Sequence, residues 1–363
     1  MTHSSTAALA PVCDPSVWTG QSFDQDTSWI KTLTDEQANA LSSAAAQWEG
    51  RDYRSLSTPE AQQRLAALAP LVHEARSDLA SRGFALLRGV PVEKMSPEQI
   101  KLAYWGIGLL FGQGLTQNAK ADFLCPVTDM GVDFGYTGSA SQKNVRGYQS
   151  KADLNYHCDP TDVVALLCVR KAMTGGQSSI VSTSAIFNEI VRHHPKHLPV
   201  LLRGYIYDRK EEQWAHEEST SGRIPVFVPR GDQVSCRFAR SYILDAAMKG
   251  VPLTTEEKAA LDCFDSIARR DDMPLRMAFE PGDIQLVNNY KVVHGRTAYE
   301  DHAAPERRRF LWRLWLNLGD AAPWNQEDEV MRWSFARFGN LGRSTDEWER
   351  ICAAGAPAQL AAA

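Results

Sequence analysis

The 363-residue chain has no Cys-x-x-Cys pair, no Gly-x-Gly-x-x-Gly turn and no Walker-type loop. Without the glycine motifs, a nucleotide-binding fold has no support. The seven cysteines (Cys13, Cys125, Cys158, Cys168, Cys236, Cys263 and Cys352) are odd in number and scattered. That argues against a disulfide framework and a structural zinc site, and for a reducing cytosol. The longest clean apolar run near the middle, Val163–Val169, falls far short of the roughly 20 residues that span a bilayer. The start, Met1-Thr-His-Ser-Ser, lacks a basic segment followed by an apolar one. The expectation is therefore no signal peptide, no membrane partner and a cytoplasmic location. There is no basic block either: 39 Lys and Arg face 44 Asp and Glu, a net charge of −5. Nucleic acid is a poor partner for such a surface. What is present is ordinary globular composition, 44% hydrophobic and 23% charged.

Residues 1 to about 33 carry no periodicity and read as an irregular arm. Thr34-Asp-Glu-Gln37 has the form of a capping box, with Gly50 as a stop. A second helix opens at Thr58-Pro59-Glu60 and runs to Gly83, because Ala61, Leu65, Leu68, Val72, Ala75 and Leu79 form one stripe at helical spacing. Phe84–Arg88 reads as a strand, and Ser96-Pro-Glu-Gln99 caps a further helix to about Phe111. From about 120 to 182 short β-like runs alternate with Gly, Asn and Asp turns, and Val163–Val169 is continuous enough to be a strand buried on both faces. Later strands are expected at Val226–Val228, Val234–Phe238, Arg276–Phe279, Ile284–Asn288 and Arg309–Leu318, with helices at Ala185–His193 and from Thr254 to about Arg270. The tail at 353–363 is Ala-rich and expected to fray. Helices first, then a β-rich body with inserted helices, predict an α+β or mainly-β fold and not alternating βαβ units.

Chemistry concentrates in three segments. Asn155-Tyr-His157-Cys-Asp159-Pro160 places His157 and Asp159 two apart, on one face of an extended strand, where an imidazole and a carboxylate can chelate a divalent ion. His294, in Val292-Val-His-Gly-Arg296, can complete two histidines and one carboxylate on one face of a metal, the facial triad that suits non-haem Fe(II) with open positions. In Arg309-Phe-Leu-Trp-Arg313-Leu-Trp315, Arg309, Leu311, Arg313 and Trp315 share one strand face. Two guanidinium groups beside a metal call for an anion, and their planar forks match a carboxylate.

His-x-Asp, a distal His-Gly-Arg and the arginine strand together resemble the taurine dioxygenase/TfdA-type family of Fe(II)- and 2-oxoglutarate-dependent oxygenases. Arg82-Gly-Phe-Ala-Leu-Leu-Arg-Gly89 and Thr174-Gly-Gly-Gln-Ser178 fit as well, so the resemblance covers roughly residues 80–320. It implies a distorted double-stranded β-helix (jelly-roll) core with flanking and inserted helices. Residues 1–80 would be an arm and helices packing on that core, 81–320 the oxygenase domain with an insert at about 183–275, and 321–363 a helical extension. It implies His157, Asp159 and His294 as iron ligands. 2-Oxoglutarate would meet Arg309 and Ser178 at its far carboxylate, with Arg313 near the metal-side carboxylate. The register leaves Arg308 open in place of Arg309, and Ser178 stands where the family often has Thr. The reaction implied couples oxidative decarboxylation of 2-oxoglutarate by O2, giving succinate and CO2, to hydroxylation of an unactivated C–H of a small molecule. Desaturation, cyclisation and bond cleavage use the same centre. The Asp159 carboxylate argues against halogenation.

Weaker candidates for substrate contact are Arg146, Tyr148, Asn155, Arg237, Arg240 and Tyr242, where Arg237, Arg240 and Tyr242 would suit an anionic substrate. The ten tryptophans invite a cation cage, but core packing is the better default for them. His216-Glu-Glu218 and the group His193, His194 and His197 read as solvated segments, and Cys158 as packing. Two other classes stay open: a cupin-like metal hydrolase or isomerase without 2-oxoglutarate, and a non-catalytic relic barrel. The N-terminal helical stripe can pack on the core or on a second subunit, so a homo-oligomer is possible.

Overall fold

The structure is a computed structural model that describes residues 9–132, 146–319 and 337–354. The first residues of the N-terminal arm, much of the C-terminal extension and the tail beyond 354 lie outside the described residues.

Two sheets make the body. The strands are β1 (Ile30–Thr32), β2 (Phe84–Arg88), β3 (Gln113–Leu115), β4 (Leu124–Val127), β5 (Leu154–His157), β6 (Val163–Arg170), β7 (Ser178–Ser182), β8 (Leu275–Met277), β9 (Ile284–Asn288), β10 (Val292–Arg296) and β11 (Phe310–Asn317). The major sheet runs β1-β2-β9-β6-β11-β3, with β4 also paired to β11, and the minor sheet runs β8-β7-β10-β5. All pairings are antiparallel except β1 with β2.

Strand alternation sorts the core into layers. On β2, β6 and β11 one face gives Phe84, Leu86, Val164, Cys168, Leu311 and Trp315 to an apolar cluster that also takes Ile180 of β7, Met277 of β8 and Val292 of β10. The two sheets therefore face each other across one core. The other face of the major sheet, Leu87, Ala165, Leu167, Leu286, Leu314 and Leu316, is covered by α1 (Asp35–Trp48), α2 (Thr58–Arg64), α3 (Ala69–Ala80) and α4 (Pro97–Phe111). Behind the minor sheet, Val181 and Val293 pack against α5 (Thr183–His193), α6 (Leu198–Arg203), α7 (Arg240–Met248) and α8 (Thr255–Ala268). As the unbroken apolar run predicts, β6 sits between β9 and β11 with both faces buried.

Capping chemistry sets the helix starts. Thr34, Ser96 and Thr254 each form a reciprocal capping box with the residue three positions on. The expected single helix from 58 to 83 is instead α2 and α3, joined by a short 3-10 turn at Ala66–Leu68. Pro70 explains the break: it offers no N–H, and its ring clashes with the carbonyl four residues back. The stripe survives the break, since Ala61, Leu65, Leu68, Val72, Ala75 and Leu79 are all buried. Of the strands above, three short ones escape the sequence pattern, among them Gln113–Leu115 just past α4. Ile30–Thr32 lies in the arm read as irregular. Val292–Arg296 is interrupted by Gly295, where a Cβ would stand 2.6 Å from the Leu154 carbonyl oxygen. That glycine is the condition for β5 to approach β10 closely.

Helix α4 rests on β11 through Gly108, whose added Cβ would lie 2.4 Å from Leu314 Cδ2. Leu314 is fully buried there. Leu314→Ala is expected to lower stability by about 2–5 kcal/mol, read in urea as a lower midpoint at unchanged slope. A midpoint shift within error would mean that the helical layer does not depend on this contact.

Candidate metal centre and its cavity

Antiparallel pairing of β5 with β10 sets His157 directly opposite His294, and their ring centres are 4.3 Å apart. The β5 strand ends at His157, and Asp159 follows in the next turn. Its N–H donates to Asn289 Oδ1 at 2.9 Å, and its carbonyl accepts from Arg237 Nη1 at 2.5 Å. One ligand atom from each of His157, Asp159 and His294 falls within 4.8 Å of the others, the only such three-residue group among the described residues.

Hydrogen bonds leave these atoms in the right protonation states for a metal. His157 Nδ1 lies 2.8 Å from the Asn155 carbonyl, so it carries the proton and leaves Nε2 a lone pair. His294 is pushed down to about 3 by burial and by His157, so it is a neutral imidazole at ordinary pH. Its Nδ1 is buried without a partner among the described residues. Burial alone would raise the Asp159 carboxyl, but Arg313, His294, His157 and the Trp315 N–H together hold it below its ordinary value. Arg313 Nη1 is 3.5 Å from Asp159 Oδ2, and Trp315 Nε1 donates to the same oxygen at 3.0 Å.

A narrow pocket continues inward from the triad to Ser178 and Arg309, walled by Val127, Leu166, Phe279 and Leu311. The structure separates Arg309 from Arg308: Arg309 is buried and lines this pocket, whereas Arg308 is exposed. Arg309 precedes β11, its N–H held by Asp301 Oδ1 at 2.6 Å and its guanidinium carbon 5.0 Å from the Tyr299 ring centre. Gly176 of the Gly-Gly turn packs on it, since a Cβ there would be 3.1 Å from Arg309 Nε. Arg309 Nη1 is buried without an acceptor among the described residues, and burial lowers the guanidinium pKa. An orphaned buried donor in the wall of a pocket fits a carboxylate. Ser178 Oγ donates to Gln285 Oε1 at 3.0 Å.

Outward, the triad opens into a larger cavity lined by Arg146, Tyr148, Asn155, Arg240 and Tyr242 among others. Arg237 is elsewhere: it is buried behind the triad, below the Tyr290 ring at 5.0 Å, with its contact on the Asp159 backbone. Cys158 is buried in the cluster behind the minor sheet, as alternation predicts. His216 packs against Trp214, away from the triad.

Three supporting residues, Gln117, Gln285 and Asn289, escape sequence reasoning, and Trp315, placed by alternation on the arginine face of its strand, gains a partner. Gln117 accepts from Arg313 Nε at 2.7 Å and donates to the Arg313 carbonyl at 3.0 Å. Gln285 partners Ser178, Asn289 holds the Asp159 N–H, and Trp315 caps the Asp159 carboxylate. The available signal is a lone amide inside an apolar strand, as in Ile284-Gln-Leu-Val-Asn288.

The family "Taurine catabolism dioxygenase TauD, TfdA family" matches residues 52–315. An FR-33289 synthase of Streptomyces rubellomurinus is 29% identical over 328 residues, which is 89% of this chain and 95% of that protein. A taurine hydroxylase-like protein of Stachybotrys chartarum is 22% identical over 89% of this chain and 83% of its own length. In fold, the chain is similar to asparagine oxygenase, solved with Fe(II), hydroxyasparagine and succinate (TM-score 0.60, 15% identity, 80% of this chain and 94% of that one). It is also similar to the non-haem iron oxygenase OrfP, solved with Fe and alpha-ketoglutaric acid (TM-score 0.56, 15% identity, the same coverage). The chain thus belongs to the TauD/TfdA dioxygenase family and is an Fe(II)- and 2-oxoglutarate-dependent oxygenase.

Proposed function

We propose that this enzyme hydroxylates an unactivated C–H bond of a small molecule, with His157, Asp159 and His294 as the iron ligands and Arg309 as the anchor of the 2-oxoglutarate far carboxylate. One observation carries the reading: three ligand atoms converge within 4.8 Å in the wall of a pocket that also holds a buried guanidinium whose Nη1 has no acceptor among the described residues. Iron at the triad supplies activation of O2 coupled to decarboxylation of 2-oxoglutarate.

The chain's own part is placement and exclusion of water. Arg309 offers a fixed cation in a pocket walled by Val127, Leu166, Phe279 and Leu311, where low dielectric strengthens its pairing with a carboxylate. The Ser178 hydroxyl rotates, so its proton can pass from Gln285 to that carboxylate. Arg313, fixed by Gln117 and by Asp159, stands between the pocket and the outer cavity and suits the metal-side carboxylate. We read the two facing sheets as the double-stranded β-helix of an oxygenase domain over 81–320 with the insert at 183–275, residues 1–80 as packed on it, and 321–363 as an extension.

Anaerobic addition of Fe(II) and 2-oxoglutarate to metal-free protein is expected to give the weak visible charge-transfer band of a chelated keto acid, lost in His157→Ala. A protein that binds metal but gives no band would instead be a hydrolase or isomerase. Arg309→Ala is expected to weaken 2-oxoglutarate binding by about 30-fold or more, the loss of one partner of a buried charge pair. Unchanged affinity would remove Arg309 from the site. Trp315→Phe keeps the ring but deletes the donor to Asp159. Fe(II) affinity, titrated anaerobically by calorimetry, should fall about 10- to 100-fold. An unaltered constant would mean that the Asp159 carboxylate needs no help from the indole.

A further inference from the structure

The geometry points to a substrate that carries an oxyanion, a carboxylate or a phosphate, at the end remote from the oxidised carbon, received by Arg146, Lys210 and Arg240 in the outer cavity. This rests on the oxygenase reading, since the oxidised carbon is placed by the triad.

Besides Arg313 next to the triad, the cavity wall presents three cations, Arg146, Lys210 and Arg240, and its one described acid is the candidate ligand Asp159. The acids that balance these cations stand outside the wall. Arg146 pairs with Glu212, Lys210 with Asp245, and Arg240 reaches Asp265 and Asp262 at 2.6 Å each. None of those four acids lines the cavity. The arrangement pairs each of these cavity-lining cations with an acid that does not line the cavity. It holds cations together without a large net charge and keeps their positions fixed, which is what low-cost recognition of an anion requires.

The aromatic rings make the opposite choice of ligand unfavourable. A cationic substrate would need open ring faces. Four of the rings that line this cavity, Tyr148, Tyr242, Trp315 and Phe338, already carry protein cations. The Arg146 guanidinium and the Lys210 ammonium each lie 5.2 Å from the Tyr242 ring centre. Arg313 lies 4.5 Å from Tyr148 and 5.0 Å from Trp315, and Arg209 lies 5.2 Å from Phe338. Arg146 also donates to the Tyr242 hydroxyl, which ties the plate to the cation. An incoming ammonium would meet like charge on the wall, and such a clash excludes wrong partners.

The test uses the Fe(II)-loaded enzyme saturated with 2-oxoglutarate under anaerobic conditions, so that the inner pocket is filled. Four probes of one chain length are titrated by calorimetry: butanoate, butyl phosphate, butylammonium and butan-1-ol. Both anions, or one of them, should bind at least about tenfold tighter than the other two, one charge-assisted contact by the usual conversion. The comparison of butanoate with butyl phosphate decides which oxyanion is preferred. Arg146→Gln alone would strand the buried Glu212, so the working variant is Arg146→Gln with Glu212→Gln, and Lys210→Met is the second. Both should lose anion preference while 2-oxoglutarate affinity stays unchanged. Equal binding of butylammonium or butanol by the wild type, or an anion preference intact in both variants, would overturn the assignment. The charge-transfer band is read before any probe is added, so failure of the oxygenase reading shows separately.

Discussion

Asp159 is a carboxylate buried among two imidazoles, one guanidinium and one indole N–H, and the rest of the site is arranged around keeping it charged. An isolated ionised carboxylate in such a place would take up a proton. Here the surroundings reverse that tendency. Arg313 supplies the nearest full charge, Trp315 a directed donor, and Asn289 and Arg237 fix the backbone on either side of the side chain. The same low dielectric that penalises the charge makes these contacts strong. The two histidines answer the constraint from the other side: His294 is held neutral by burial, and His157 donates its spare proton to a carbonyl, so both keep a lone pair for a cation.

The fold provides that arrangement by crossing its two sheets' resources. The minor sheet contributes both imidazoles through one strand pairing, closed up by the missing side chain at Gly295. The major sheet contributes Arg313 and Trp315 from one face of β11, which also gives Leu311 to the core between the sheets. The helical layer supports the site through the opposite faces of β11 and β6, where Leu314, Leu316, Ala165 and Leu167 are buried. Hence the sheet that fixes the arginines is stiffened from outside, while the ligands lie on the side facing the cavity.

Much of this was legible in residue spacing, and the limits have physical reasons. His157 and Asp159, His294, and the alternation Arg309, Leu311, Arg313, Trp315 are local patterns, and the structure brings them to one place. Capping boxes at Thr34, Ser96 and Thr254 marked helix starts because they are chemistry within one turn. Gln117, Gln285 and Asn289 were invisible, since their meaning lies in partners up to 196 residues away. The break at Pro70 was hidden because the apolar stripe continues in phase across a 3-10 joint. Arg237 misled for a related reason: an arginine between apolar residues can line a cavity or hold a backbone, and only the fold places it behind Asp159.

Arginine in this protein thus has three distinct uses, separated by what stands opposite. Arg313 faces a carboxylate of its own chain and keeps a candidate ligand charged. Arg309 keeps one buried donor, Nη1, without an acceptor among the described residues, so on the proposed reading a co-substrate carboxylate would offset its desolvation. On that reading the difference would favour co-substrate binding through one buried contact instead of many weak ones. Arg146 and Arg240 have acids at their backs and a cavity in front. Each is paired with an acid before any ligand enters, so its position is fixed in advance. Inner pocket and outer cavity would then bind two anions of one substrate pair by different physics, which keeps either from occupying the other's place.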